Sequence, residues 1–120
     1  MLSMIAYKSH LPELSPDLIE EIVHRLEPLN PRRIVLFGSR ARGTHRPDSD
    51  IDLLIIADSA LPRDRRAAMA YRALAGAGIE TDVDVVVYTP DETEQWRDVP
   101  AALVTTALRE GKVLYEQERD

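Results

Sequence analysis

Two apolar runs, Arg33-Ile34-Val35-Leu36-Phe37 and Leu53-Leu54-Ile55-Ile56, flank a polar corner that opens at Gly38. Short runs rich in β-branched residues and bounded by proline or glycine favour buried strands over helices. The second strand is expected to start at Asp50 and run to Ala57. About a dozen residues then lie between the two, too few for a parallel crossover with its covering helix, so the second strand should return antiparallel to the first. This puts the end of one strand beside the start of the next, with the whole corner between them.

The corner reads GSRARGTHRPDSDID. Gly38 permits close backbone approach, and Ser39 can open a short helix whose N–H groups and hydroxyl face phosphate oxygens. Side chains alternate along a strand, so Asp50 and Asp52 share a face with Cα atoms roughly 7 Å apart. Two carboxylates so placed form part of an oxygen cage for a hard cation such as Mg²⁺, which leaves its other positions to water and substrate phosphate. With two ions about 4 Å apart, such a site activates a hydroxyl and stabilises charge at the phosphorus under attack. Arg40 or Arg42 would neutralise the leaving pyrophosphate.

A helix is expected from Leu61 to Ala75, with Ala67, Ala70, Tyr71 and Leu74 on one face and Gly76 and Gly78 as the stop. It leads to a third strand, Thr81 to Tyr88, written TDVDVVVY. A connection of this length with a helix inside it suits a right-handed parallel crossover, which brings the starts of the second and third strands to the same edge. Ser39, Asp50, Asp52 and Asp84 then meet from three strands. Asp82 and Asp84 share a face, and either can complete a carboxylate triad. Asp84 is preferred because it is embedded in the apolar run, where an unpaired charge is costly; Asp82 is its rival.

Elsewhere the signals are local. Ser15, Pro16 and Asp17 start a helix whose Leu18, Ile19, Ile22, Val23 and Leu26 form one stripe, ended by Pro28 and Pro31. Thr89-Pro90-Asp91-Glu92 has the capping-box arrangement and begins a short helix carrying Trp96, expected as a packing or interface residue. Pro100 restarts a helix with Val104, Ala107 and Leu108 on one face, and Gly111 suits the C′ position before Val113-Leu114-Tyr115. The first fourteen residues show no period and read as a loosely ordered arm or partner contact. The expected architecture is α/β (α+β), a small mixed sheet of three main strands flanked by helices, in a single domain over residues 1–120.

Composition narrows the function classes. Acidic residues number 21 against 15 basic, a formal net charge of -6, which argues against general nucleic-acid binding through the phosphate backbone. No cysteine occurs, so disulfides and thiolate metal sites are excluded and a reducing compartment, the cytoplasm, is expected. Neither a signal peptide nor a membrane-spanning run is expected. The chain has no G-x-x-x-x-G-K-[ST] and no G-x-G-x-x-G. Asp48, Asp50 and Asp52 imitate the first positions of a calcium loop, yet Leu53 stands where glycine is needed and Ser59 where glutamate is needed. His10, His24 and His45 lack metal-ligand spacing.

The strings GSRARG, SDIDLLI and VDVVV together resemble minimal nucleotidyltransferase domains of the DNA polymerase β-like superfamily, over about residues 33–88. The closing REGKVLYE is also similar to the tail of these small proteins. The resemblance implies that Gly38 and Ser39 bind the triphosphate, that Asp50 and Asp52 hold Mg²⁺ and that Asp84 is the third carboxylate. It further implies an antitoxin paired in a hetero-oligomer with a HEPN-type ribonuclease toxin, inhibited by transfer of AMP from ATP to a toxin tyrosine. Only about thirty residues follow the third strand, so another chain would have to present the acceptor. The alternatives are a small-molecule nucleotidyltransferase of the antibiotic-modifying type and a binding module that neutralises its partner by occlusion.

Overall fold

The computed structural model describes residues 2–3, 14–43, 49–79 and 81–118. The elements in chain order are β1 (Leu2–Ser3), α1 (Pro16–Leu26) with a 3₁₀ turn (Glu27–Leu29), β2 (Arg33–Phe37), α2 (Ser39–Arg42) and β3 (Ile51–Ile56). They continue with α3 (Arg63–Leu74), β4 (Val83–Tyr88), α4 (Pro90–Trp96), α5 (Leu103–Glu110) and β5 (Lys112–Gln117).

Helix α1 starts as its sequence requires: the Ser15 hydroxyl accepts the Leu18 N–H at 3.1 Å, and Pro16 occupies the first turn, where its missing donor costs nothing. Ile19, Ile22, Val23 and Leu26 are buried. Pro28 does not stop the helix outright. The chain tightens into the 3₁₀ turn and leaves it through Asn30, which adopts a left-handed conformation with φ 51°.

The sheet order is β1-β5-β2-β3-β4. Strand β3 is antiparallel to β2, with Phe37 opposite Asp52, and β4 is parallel to β3, with Asp84 opposite Asp52. Both pairings follow from connection length. The expectation of three main strands is too low, because Lys112–Gln117 forms a further full strand antiparallel to β2. Its register steps from Ile34↔Tyr115 to Val35↔Val113, which leaves Leu114 as an extra residue. That bulge turns both Leu114 and Tyr115 into the same core, and both are fully buried. On the far side of β5, Leu2 and Ser3 pair with Gln117 and Glu116, so the expected loose arm contains a point of sheet pairing, and Leu14 at its end is buried. The rest of the arm lies outside the described residues.

Alternation along the strands divides the core in two. Ile34, Leu36, Ile51, Leu53, Ile55, Val85 and Val87 face α1 and α3. Val35, Leu54, Ile56 and Tyr88 face Val104 and Ala107 of α5. Asp52 and Asp84 are in phase with Leu54 and Val86, so both belong to the α5 face. On α3, Ala70 and Leu74 are buried as expected, but Tyr71 is exposed and the third buried position is Arg66. Gly111 also departs from expectation. Its φ of -79° is ordinary, so no left-handed cap forms there; a Cβ would collide with the Val35 side chain and the carbonyls of Ala107 and Leu36. Glycine is needed for close approach of α5 to β2.

Candidate functional site

Strand β2 ends at Phe37, and Gly38 turns the chain with φ 77°, a conformation that side-chain-bearing residues rarely adopt. The turn presses the Gly38 backbone against Asp52: a Cβ at this position would overlap the Asp52 carboxylate and lie 3.1 Å from its Cγ. Glycine is thus required twice, by torsion and by space. The next four residues form the single turn α2, in which the Ala41 and Arg42 N–H groups donate to the Gly38 carbonyl at 3.1 and 3.2 Å. Gly43, with φ 74°, closes it.

Asp52 lies at the centre of the cluster, cross-strand from Phe37 on one side and Asp84 on the other. Burial pushes its carboxyl above the ordinary value, the nearby Asp84 and Asp50 charges push it further, and the Arg42 guanidinium opposes them. Asp50 precedes β3 and is exposed, as is Asp84 within β4. Burial therefore does not single out Asp84, contrary to expectation. Register distinguishes the two, since Asp84 stands directly opposite Asp52 and its charge raises the Asp52 carboxyl. Asp82 is exposed just before β4 and engages β3 through its backbone, its carbonyl accepting the Ile51 N–H at 2.9 Å.

The two arginines of α2 part ways. Arg42 is exposed and is the cation felt by Asp52. Arg40 is only 8% exposed and donates from Nε and Nη2 to the Ser49 carbonyl, at 3.0 and 2.7 Å. Nothing in sequence spacing separated their roles, beyond the fact that two residues on a helical turn point about 200° apart. His45, Arg46 and Asp48 lie outside the described residues.

Among the described residues no three His, Cys, Asp or Glu side chains are gathered closely enough to grip one ion as they stand. The donor set is nevertheless suited to a hard divalent cation, because it offers only carboxylate oxygen and its central member carries a charge its neighbours disfavour. The pockets outside this cluster are of another kind. The cleft of about 370 Å³ lined by Arg33, Ile56, Leu108 and Glu116 lies at the opposite end of β2 and β3, where Arg33 is already paired with Glu116.

A family model described as polymerase β, nucleotidyltransferase matches residues 19–120. Among solved structures, the chain is similar to a toxin–antitoxin crystallised with AMP-PNP, at 25% identity over 83% of this chain and 74% of that one, with a TM-score of 0.53. It is similar to a variant of the MntA–HpeT toxin–antitoxin at 25% identity, over 82% and 72% of the two chains, with a TM-score of 0.50. A second variant of that pair, at 23% identity over 83% and 74% with a TM-score of 0.51, shares the fold. No curated protein matches the chain.

Proposed function

The chain belongs to the polymerase β nucleotidyltransferase family, and we propose that within it the protein is an antitoxin that transfers AMP from ATP to a tyrosine hydroxyl of a HEPN-type toxin. The observation that carries this reading is the meeting of Gly38, Asp50, Asp52 and Asp84 at one sheet edge, with an exposed arginine beside them. Similarity at 25% identity to a toxin–antitoxin that holds an ATP analogue supports the choice of nucleotide and of partner class.

In this reading Asp50, Asp52 and Asp84 would hold Mg²⁺, two ions in all, and the chemistry such ions would supply is polarisation of the α-phosphate and a lowered pKa for the attacking hydroxyl. Gly38 and Ser39 would bind the triphosphate, the absence of a side chain at Gly38 letting backbone come close. Arg42 would offset the charge that grows on the leaving group. The acceptor oxygen forms a bond to the α-phosphorus while the bond from that phosphorus to pyrophosphate breaks, and the hydroxyl proton passes to a carboxylate oxygen of Asp84. In this reading the acceptor comes from the partner. Asp52 and Asp84 belong to the same sheet face as α5, and Trp96, Val99 and Leu103 around the α4–α5 connection are exposed, which suits a protein partner.

Incubation with ATP, Mg²⁺ and the product of the neighbouring reading frame should add AMP to a tyrosine of that product, read by mass spectrometry. No addition, or undiminished addition by a folded Asp50→Ala, Asp52→Ala double variant, overturns the reading. Toxin neutralisation that survives in that variant while AMP transfer is lost assigns inhibition to occlusion. Pyrophosphate release with a small-molecule acceptor and no partner would assign the chemistry to the antibiotic-modifying class instead.

A further inference from the structure

We infer that Arg40 is a positioning residue that orients the peptide leading into Asp50, and is not a ligand of the triphosphate. The contact is read from the structure directly; the chemistry it serves rests on the nucleotidyl-transfer reading above. Arg40 and Arg42 occupy the same helical turn two residues apart, so when one faces solvent the other faces the protein. Arg40 is the inward one, and a residue left 8% exposed has little surface to offer a nucleotide.

Its Nε and Nη2 groups both donate to the carbonyl of Ser49. That carbonyl and the nitrogen of Asp50 belong to one planar peptide unit, so holding the oxygen in two directions holds the plane from which Asp50 emerges. The following peptide is held too, because the Ile51 N–H donates to the Asp82 carbonyl at 2.9 Å. Asp50 therefore sits between two anchored peptide planes, one tied to α2 and the other to the approach to β4. Its side chain is exposed and emerges from backbone hydrogen-bonded on both sides. The fork geometry matters: a lysine at position 40 would keep the charge but present a point donor that fixes no direction.

The decisive comparison is Arg40→Lys against wild type, with ATP, Mg²⁺ and the toxin acceptor. A positioning role predicts that kcat falls about 100-fold, as misplacement of a reacting group by an ångström does, while KM for ATP stays within about twofold. Titration with Mn²⁺ alone, followed by electron paramagnetic resonance, should show affinity weakened about tenfold. A KM for ATP raised tenfold or more with kcat retained makes Arg40 a phosphate ligand and overturns the inference; so do unchanged kcat and Mn²⁺ affinity. Should the variant fail to fold, the arginine Nε–H resonances of the wild type decide: on saturation with ATP and Mg²⁺ the Arg42 signal should move and the Arg40 signal stay. Movement of Arg40 as large as that of Arg42 overturns it. A wild type that transfers no nucleotide defeats the functional reading, while the Mn²⁺ and resonance measurements still judge Arg40.

Discussion

Asp52 shows at the scale of one residue how a site works against the fold that carries it. Its carboxyl is raised by burial first, then by Asp84 and Asp50. A folded-state value above the unfolded one means that the folded chain keeps a proton which the unfolded chain releases. Stability then falls as pH rises through the window that opens at the ordinary value of 3.8. Asp52→Asn removes that liability. With chelator present, the variant should melt above wild type at neutral pH, and the two should converge below about pH 4, where both forms are uncharged. Added Mg²⁺ should raise the melting temperature of wild type more than that of the variant, since a cation bound to the folded state stabilises only the chain that binds it. A variant less stable than wild type at neutral pH would contradict this account. The residue types of the cluster were legible in GSRARG and SDID, because a glycine-serine corner and paired aspartates, each ordinary alone at strand ends, occur here together with the aspartate of VDVVV. The division of labour between Arg40 and Arg42 was not, because it depends on which side of one helical turn meets Ser49.

Helix α4 shows the same division for an element. Its start was readable from four residues, and the box forms: the Thr89 hydroxyl accepts the Glu92 N–H at 3.2 Å and Glu92 Oε1 accepts the Thr89 N–H at 2.9 Å. The same Oε1 also accepts a bond from the buried Arg66 at 2.6 Å, and Arg66 donates in addition to the carbonyls of Leu61 and Val87. These partners lie in the turn before α3, on β4 and on α4, and the last two could not be read locally. The outer edge of β4 is closed by α3 in both senses, with Arg66 donating to the Val87 carbonyl and the Tyr71 hydroxyl accepting the Val85 N–H at 2.9 Å. An edge strand so covered is a poor template for another strand. Hydrogen bonding from Arg66 is the first cause holding the Glu92 carboxyl below its ordinary 4.5. A depressed value contributes stability that is present above 4.5 and lost as pH falls through the lower folded-state value. Glu92→Gln leaves a cap acceptor but strips Arg66 of its counter-charge, and should cost about 2 kcal/mol at pH 7 in urea unfolding. The difference should shrink in acid, as wild-type Glu92 itself becomes neutral; a difference independent of pH would rule out the ion pair as its source.

For the molecule as a whole, the segment most easily undervalued is the last. Lys112–Gln117 was legible only as a few apolar residues after a helix, yet it lies inside the sheet between β1 and β2, with Leu114 and Tyr115 fully buried. Truncation after Glu110 removes those side chains and leaves β2 with an open edge. The truncated chain should lack the cooperative thermal transition of the full chain, by circular dichroism; a cooperative transition retained at the same temperature would show that β5 is dispensable. No helix among the described residues is long and apolar enough to cross a membrane.

The amino-acid sequence by itself determined the local and the length-limited: helix starts at Ser15 and Thr89, an antiparallel return from β2 to β3, a parallel step to β4, and so the meeting of Gly38, Asp52 and Asp84. Caps act over three or four residues, and connection length restricts strand direction, so both are written along the chain. Tertiary structure alone decided what depends on remote partners. It set the bulge that buries Leu114 beside Tyr115, the close approach that demands Gly111, the exposure of Asp84, the burial of Arg66 and the turning of Arg40 onto Ser49. Each of these is a contact between segments whose separation in space no spacing in the sequence encodes.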